Sequence, residues 1–344
     1  MADVRMEEAE RLHRTLIIVD GHNDTPVERI ARKERIAGWE RRDTGYHTDI
    51  PRMKEGNLTC AFFIVGNGPS ADLRVTVEQM LGSIEKNPDH LLLVDRSADV
   101  ERAHATGRIG VLMAIEGAAR WLDGKLDILG LYHRLGVRAV GVTHGEGGDE
   151  PTFLQRTKSP FGPCTAADRE NERKKAGGLT DFGKAFLEES NARGIVTDLA
   201  HTNDKAFFEV LERSRLPVVM SHTAVFSQCP HWRCLTDDEI KALAQNGGVM
   251  GVSFVPFFID PVKPSLDRVV DHICTVADLV GIDHVGIGTD FDGIGQIVPL
   301  VPDVSRLAVL THAMMVRGMS EADIRKVWGG NFLRVFRETM DKRR

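Results

Sequence analysis

Along the chain, short apolar runs rich in Val, Ile and Leu alternate with stretches whose apolar residues recur at helical spacing. The runs at residues 16–20, 58–65, 110–115, 139–143, 195–199, 218–221, 249–255 and 285–289 read as strands, being short, β-branched and bounded by Gly, Pro or polar residues. Between most successive pairs lies an amphipathic helical pattern, among them "DLRVTVEQMLGSIEKN", "LDILGLYHRLG", "TDFGKAFLEESNARG", "NDKAFFEVLERS", "TDDEIKALAQNGG" and "PSLDRVVDHICTVADLVG". Near-continuous apolar strands are buried on both faces. Eight of them joined by helical crossovers predict an α/β fold closed into a (β/α)8 TIM barrel. A doubly wound open sheet is the runner-up, but no glycine-rich phosphate fingerprint follows the first strand.

No repeat, low-complexity tract or linker divides the sequence, which therefore reads as one catalytic barrel domain over residues 1–344. The one outsized connection is residues 145–178, "GEGGDEPTFLQRTKSPFGPCTAADRENERKKAGG", rich in Gly, Pro and charge. Loops of this length inside a compact domain are usually functional or disordered, and its place after the strand at 139–143 puts it over the face where barrel enzymes carry their sites.

Composition narrows the partners. With 42% hydrophobic and 27% charged residues the chain can bury a large core. Its 44 Lys and Arg against 50 Asp and Glu give a net charge of −6, with only short basic clusters, which argues against nucleic acid. No apolar run is long enough for a membrane span, and the charged opening "MADVRMEEAERLHR" does not read as a signal peptide. The cysteines, Cys60, Cys164, Cys229, Cys234 and Cys274, are odd in number and scattered, which fits a reducing compartment and a cytoplasmic protein. Only "CPHWRC" clusters. Cys229, His231 and Cys234 lack a fourth ligand at zinc-finger spacing, so this segment is expected to be a Pro-containing surface loop.

The chemistry lies at the C-terminal ends of the strands. "VDGHND" carries His22 and Asp24, "AIEG" carries Glu116, "GVTHG" carries His144, "DLAHT" carries His201, "MSHT" carries His222 and "GTDFDG" carries Asp290. In a barrel these ends converge on one rim. Residues two apart in an extended chain project to the same side, so His22 and Asp24 can grip one ion together. Imidazole and carboxylate suit zinc and related divalent ions. His22, Asp24, His201 and His222 are more ligands than one open catalytic ion requires, and Glu116 can bridge two ions with its two oxygens. The set reads as a two-metal hydrolytic site in which a shared water is ionised near neutral pH and a scissile carbonyl is polarised. Asp290, not needed as a ligand, is free to take the proton of that water and pass it to a leaving amine, and His144 can donate to the oxyanion. Taken singly, each histidine reads as a loop or cap residue, Asp24 as a turn residue and Asp290 as a helix cap. Their shared position at strand ends carries the inference.

These residues match a known pattern. The chain resembles the membrane (renal) dipeptidases, zinc-dependent members of the amidohydrolase superfamily, through "DGHND", "AIEGA", "GVTH", "GGLTDFGKAFLEESNARGIVTDLAHT", "SHTA", "HVGIGTDFDG" and "GGNFLRVF", over essentially its full length. The resemblance implies a (β/α)8 barrel with two zinc ions per subunit. One would be held by His22, Asp24 and the bridging Glu116, the other by Glu116, His201 and His222. It makes Asp290 the proton shuttle and His144 the group that polarises the carbonyl or steadies the intermediate. It further implies that an arginine after the strand at 218–221, here Arg233 in "HWRCLTDDEI", holds the substrate's C-terminal carboxylate, which a guanidinium fork meets with two charge-assisted bonds. The expected reaction is hydrolysis of a dipeptide, with tolerance for a D-residue at the C-terminal position. The resemblance also suggests a homodimer. Two features depart from it: the strand at 139–143 leads into "HGEGGDEP" rather than an Asn-containing polar stretch, and the 145–178 loop is longer and more charged. The alternative is a related binuclear amidohydrolase acting on another small amide, such as an N-acyl amino acid or lactam, which would not need Arg233. A catalytically dead binding protein on the same barrel would have lost a ligand, and all five are present.

Overall fold

The computed structural model describes residues 5–42, 45–67, 72–144, 161–295 and 297–342. Its strands are β1 (Val19–Asn23), β2 (Cys60–Gly66), β3 (Leu91–Leu93), β4 (Ile109–Ile115), β5 (Val137–Gly141), β6 (Val196–Asp198), β7 (Val219–Thr223), β8 (Val249–Val252) and β9 (Val285–Ile287). All neighbouring pairs are parallel. Strand β2 pairs with both β1 and β4, and β1 pairs in turn with β9, so eight strands close into a ring. That closure decides for the barrel over the open sheet.

The ninth strand, β3, is an addition to the expected eight. It lies outside the ring along the first half of β4, where Leu91 pairs with Ile109 and Leu93 with Val111; β5 takes over that edge from Met113 onward. Three residues are too few to show a period, which hides β3 in the sequence.

The alternating period fills two separate cores. In β2, Cys60, Phe62 and Ile64 point into the barrel, while Ala61, Phe63 and Val65 face the surrounding helices; in β4, Leu112 and Ala114 point in. The bottom of the barrel is plugged by the helix Asn331–Thr339, the "GGNFLRVF" motif, whose Phe332 and Phe336 rings pack at a tilt with centroids 5.6 and 5.5 Å from Phe62. The barrel is thus a packed core with its mouth at the opposite end.

The helices fall where the amphipathic patterns place them, at Leu73–Lys86, Leu126–Arg134, Asp181–Arg193, Asp204–Arg213, Asp237–Gln245 and Leu266–Val280. Asp72, Thr180, Asn203, Thr236 and Ser265 cap five of these with side chains that accept a backbone N–H of the first turn. Part of the expected 145–178 loop is also helical, at Ala166–Lys175, where Thr165 and Asp168 form a reciprocal capping box. Residues 145–160 lie outside the described residues. No helix among the described residues is long and apolar enough to cross a membrane.

Candidate metal centre

Register shifts build the mouth. Asp20 and Asn23 of β1 pair with Ala61 and Phe63 of β2, so β1 carries one extra residue there; Met220 and Thr223 of β7 pair with Met250 and Val252 of β8 and leave the same excess. A bulge of this kind re-aims a side chain that regular alternation would send outward. His22 and His222 each occupy a bulge, and their rings meet across the mouth with centroids 3.9 Å apart.

Glu116, directly after β4, is the hub. Its Oε1 lies 3.0 Å from Nε2 of His201 and 3.7 Å from Nε2 of His222, and its Oε2 lies 3.3 Å from His144 and 3.7 Å from His22. Asp24 approaches the same ring from β1, with Oδ2 3.0 Å from Nε2 of His22. The pairing expected of His22 and Asp24 is therefore present, but the extended-chain reason for it is not. Asp24 has left the strand, with φ −91° and ψ 0°, and stands at the start of the helix Thr25–Ala31.

The remaining expected residues converge on the same place. Three overlapping groups bring ligand atoms within 4.8 Å of one another: His22, Glu116 and His222; Glu116, His144 and His201; His22, Asp24 and Asp290. His22, Asp24, Glu116, His222, Asp290 and Arg233 are all buried, whereas His144 is the open side with its side chain 29% exposed. His201 and Asp290 hold left-handed backbone, φ +65° and +61°, which costs a non-glycine residue about 1–3 kcal/mol and concentrates at functional sites.

Burial and charge set the protonation of the metal-free site. Burial alone would raise Glu116, but the imidazoles gathered around it, His144, His22 and His201, outweigh that and hold the carboxyl well below the usual range. Burial disfavours a charged His22, yet Asp24 and Glu116 beside it raise its pKa to about 10. Burial and the Arg233 charge push His201 down to about 3, and burial with the His22 charge pushes His222 well down. Burial, helped by Asp24 and Glu116, pushes Asp290 up to about 7. Oε1 of Glu116 is buried without a hydrogen-bond partner among the described residues, facing two imidazoles that are neutral. A buried, ionised oxygen facing neutral imidazole nitrogens is the donor chemistry that a divalent metal takes, so the residues fit such an ion.

Arg233 sits against this cluster. One Nη donates to the carbonyl of His222 at 3.3 Å, the guanidinium stacks 5.6 Å from the Phe258 ring, and Nε is buried without a partner among the described residues. The "CPHWRC" segment that carries it, expected as a surface loop, keeps Pro230 at the surface but turns three positions inward, with Cys229, His231 and Cys234 2, 3 and 1% exposed. Each has a structural partner. His231 accepts the Arg233 N–H at 3.1 Å, and the thiols of Cys229 and Cys234 reach the carbonyls of Phe257 and Phe258. The described part of the long connection buttresses the same segment through Cys164 N–H to Pro230 and Trp232 N–H to Gly162. Arg169 of the helix Ala166–Lys175 is buried between Asp204 and Glu239, 2.6 and 3.0 Å away.

Three groups escaped the sequence reading. Asn67, just after β2, donates to Oδ1 of Asp24 at 2.9 Å. Ser221 of β7 touches both His22 and His222, and Asp198 at the end of β6 lies behind it. Asn67 and Asp198 share the strand-end position, but Asn67 is an amide rather than a metal-ligand type and Asp198 falls inside the apolar run at 195–199.

The model of the membrane dipeptidase family, peptidase family M19, matches residues 6–344. The chain belongs to that family. It is a metallo-dipeptidase of the M19 type. Among curated relatives, this M19 dipeptidase is 30% identical to dipeptidase tcpJ of Claviceps purpurea over 87% of the chain and 71% of the relative. It is 32% identical to dipeptidase aclJ of Aspergillus oryzae over 92% of the chain and 77% of the relative. Among solved structures it superposes on a metallopeptidase from Rhodobacter sphaeroides liganded with a phosphinate mimic of the dipeptide L-Ala-D-Ala. The TM-score is 0.81 at 25% identity, covering 94% of this chain and 99% of that one. A dipeptidase of family M19 matches as well, with TM-score 0.81 at 27% identity over 95% and 99% of the two chains.

Proposed function

We propose that this dipeptidase holds two zinc ions, one through His22, Asp24 and Glu116 and one through Glu116, His201 and His222, and cleaves dipeptides with tolerance for a D-residue at the C-terminal position. The observation that carries the reading is Glu116: one buried carboxylate reached by four imidazoles, with an oxygen that has no hydrogen-bond partner among the described residues. When bound, zinc would polarise the scissile carbonyl and lower the pKa of the attacking water.

The chain's own groups do the rest. Asp290, its proton affinity raised by burial to near neutrality, takes the proton of the attacking water and returns it to the leaving amine. His144, on the open side of Glu116, donates to the oxyanion of the tetrahedral intermediate. Arg233 receives the substrate's C-terminal carboxylate. Its buried Nε, without a partner among the described residues, and its bond to the His222 carbonyl at the cluster support that role. The dipeptide mimic bound by the Rhodobacter relative has a D-residue at its C-terminal end, which supports the stereochemical tolerance. The reading includes a single catalytic barrel that is cytoplasmic and homodimeric. Five unpaired thiols support the reducing compartment, and the family resemblance supports the dimer.

The test is a panel of L,L and L,D dipeptides, alongside N-acyl amino acids and lactams, before and after removal of metal by chelation. Cleavage confined to dipeptides, lost on chelation and restored by zinc, is the expected result. Cleavage of another amide in preference to every dipeptide overturns the substrate assignment.

A further inference from the structure

Two of the proposed ligands share a single hydroxyl. Ser221 Oγ lies 2.9 Å from Nδ1 of His222 and 3.5 Å from Nδ1 of His22, while the Nε2 atoms of both rings face Glu116. Ser221 is fully buried, and its backbone N–H bonds the carboxylate of Asp198 at 2.9 Å. Asp198 is itself fixed by the N–H of Ala200 at 3.0 Å.

The directions of these bonds follow from counting protons. A neutral imidazole that offers Nε2 to an ion carries its proton on Nδ1. Both rings therefore donate toward Ser221. A serine oxygen has two lone pairs and one proton, so it can accept from both rings, which leaves its own proton free to turn toward the neighbouring Asp198 carboxylate. The packing makes room for this arrangement: a Cβ at Gly251 of β8 or at Gly288 after β9 would overlap the Ser221 carbonyl. Bulges on β1 and β7, strands separated in the ring by β8 and β9, bring the two histidines to the same hydroxyl.

We infer that Ser221, held by Asp198, is a shared positioning residue that fixes the tautomer and orientation of one ligand from each of the two proposed ion positions. The inference rests on the binuclear reading above. Partners behind a ligating histidine orient the ring and strengthen it as a ligand, and their loss typically weakens metal binding about 10- to 100-fold. Because the hydroxyl serves both rings, its removal weakens both ions.

The experiment measures the two successive zinc affinities of the metal-free protein by chelator competition in wild type, Ser221→Ala and Asp198→Asn, together with thermal unfolding of each metal-free chain. The expected result is that Ser221→Ala unfolds near the wild-type temperature but loses about 10- to 100-fold in both affinities. Asp198→Asn, which keeps the shape and removes the charge, shifts both in the same direction by less. A Ser221→Ala protein with wild-type affinity for either ion overturns the inference. So does an Asp198→Asn protein with unchanged affinities if Ser221→Ala does not fold. Wild-type protein that binds no zinc instead overturns the binuclear reading itself, so the two failures are distinct.

Discussion

Asn67 donates its side-chain amide to Oδ1 of Asp24 at 2.9 Å, while Oδ2 of the same carboxylate lies 3.0 Å from Nε2 of His22. One carboxylate thus has one oxygen held by the protein and the other turned to the ion position. Loss of that outer hydrogen bond leaves Asp24 free to rotate in a buried site. Asn67→Ala is expected to lower zinc affinity about 10- to 100-fold, with catalytic efficiency restored in part by excess zinc. Chelator competition together with kcat/KM at rising zinc checks it, and unchanged affinity would remove Asn67 from the site's support.

Arg233 presents a buried Nε that has no partner among the described residues, while one Nη donates to the carbonyl of His222. Arg233→Met keeps much of the packing against Phe258 and deletes the fork that would grip a terminal carboxylate. Loss of a charge-assisted bidentate pair costs about 2–3 kcal/mol, so KM for free dipeptides should rise roughly 30- to 150-fold with zinc content unchanged. Dipeptide amides, which lack the carboxylate, should lose little. Equal losses for acids and amides would mean that Arg233 does something other than bind the carboxylate.

Zinc loading should release protons. In the metal-free site burial is outweighed by Asp24 and Glu116, and the pKa of His22 stands at about 10, so at pH 7 the ring is protonated. A ligating imidazole must be neutral, so an ion at His22 displaces that proton and affinity rises with pH up to the His22 pKa. Titrating zinc into weakly buffered metal-free protein at pH 7 should release about one proton from His22. His201, already neutral because burial and Arg233 hold it near 3, releases none. Zinc binding that is independent of pH between 6 and 9 would contradict this charge balance.

The ligand set was readable because it obeys a rule that sequence can express: side chains of metal-binding type at the ends of apolar runs, which a barrel gathers at one rim. The support behind it was not. Strict alternation sends Ser221 and His222 to opposite faces of β7, and only the bulge between Met220 and Thr223 brings both into the mouth. Asp198 read as an ordinary strand residue, and Asn67 as the start of a loop. The burial of "CPHWRC" was likewise invisible, because Phe161, Phe257 and Phe258 cover His231 from segments distant in sequence. The fold was clearest where periodicity is long, in the six amphipathic helices, and least clear in the three residues of β3.

Asp290 separates metal binding from chemistry. Its carboxyl is pushed up to about 7 by burial, and it completes a cluster with His22 and Asp24 without being required to hold either ion. The most direct test of the account is to measure zinc content and dipeptide turnover side by side for wild type and Asp290→Asn. The account predicts about two zinc ions per chain in both proteins, and a kcat lowered at least 100-fold in the variant, the scale of a lost general acid–base group. A variant that keeps its zinc and wild-type turnover would contradict the proton-shuttle mechanism, and a wild-type chain without zinc would contradict the binuclear centre itself.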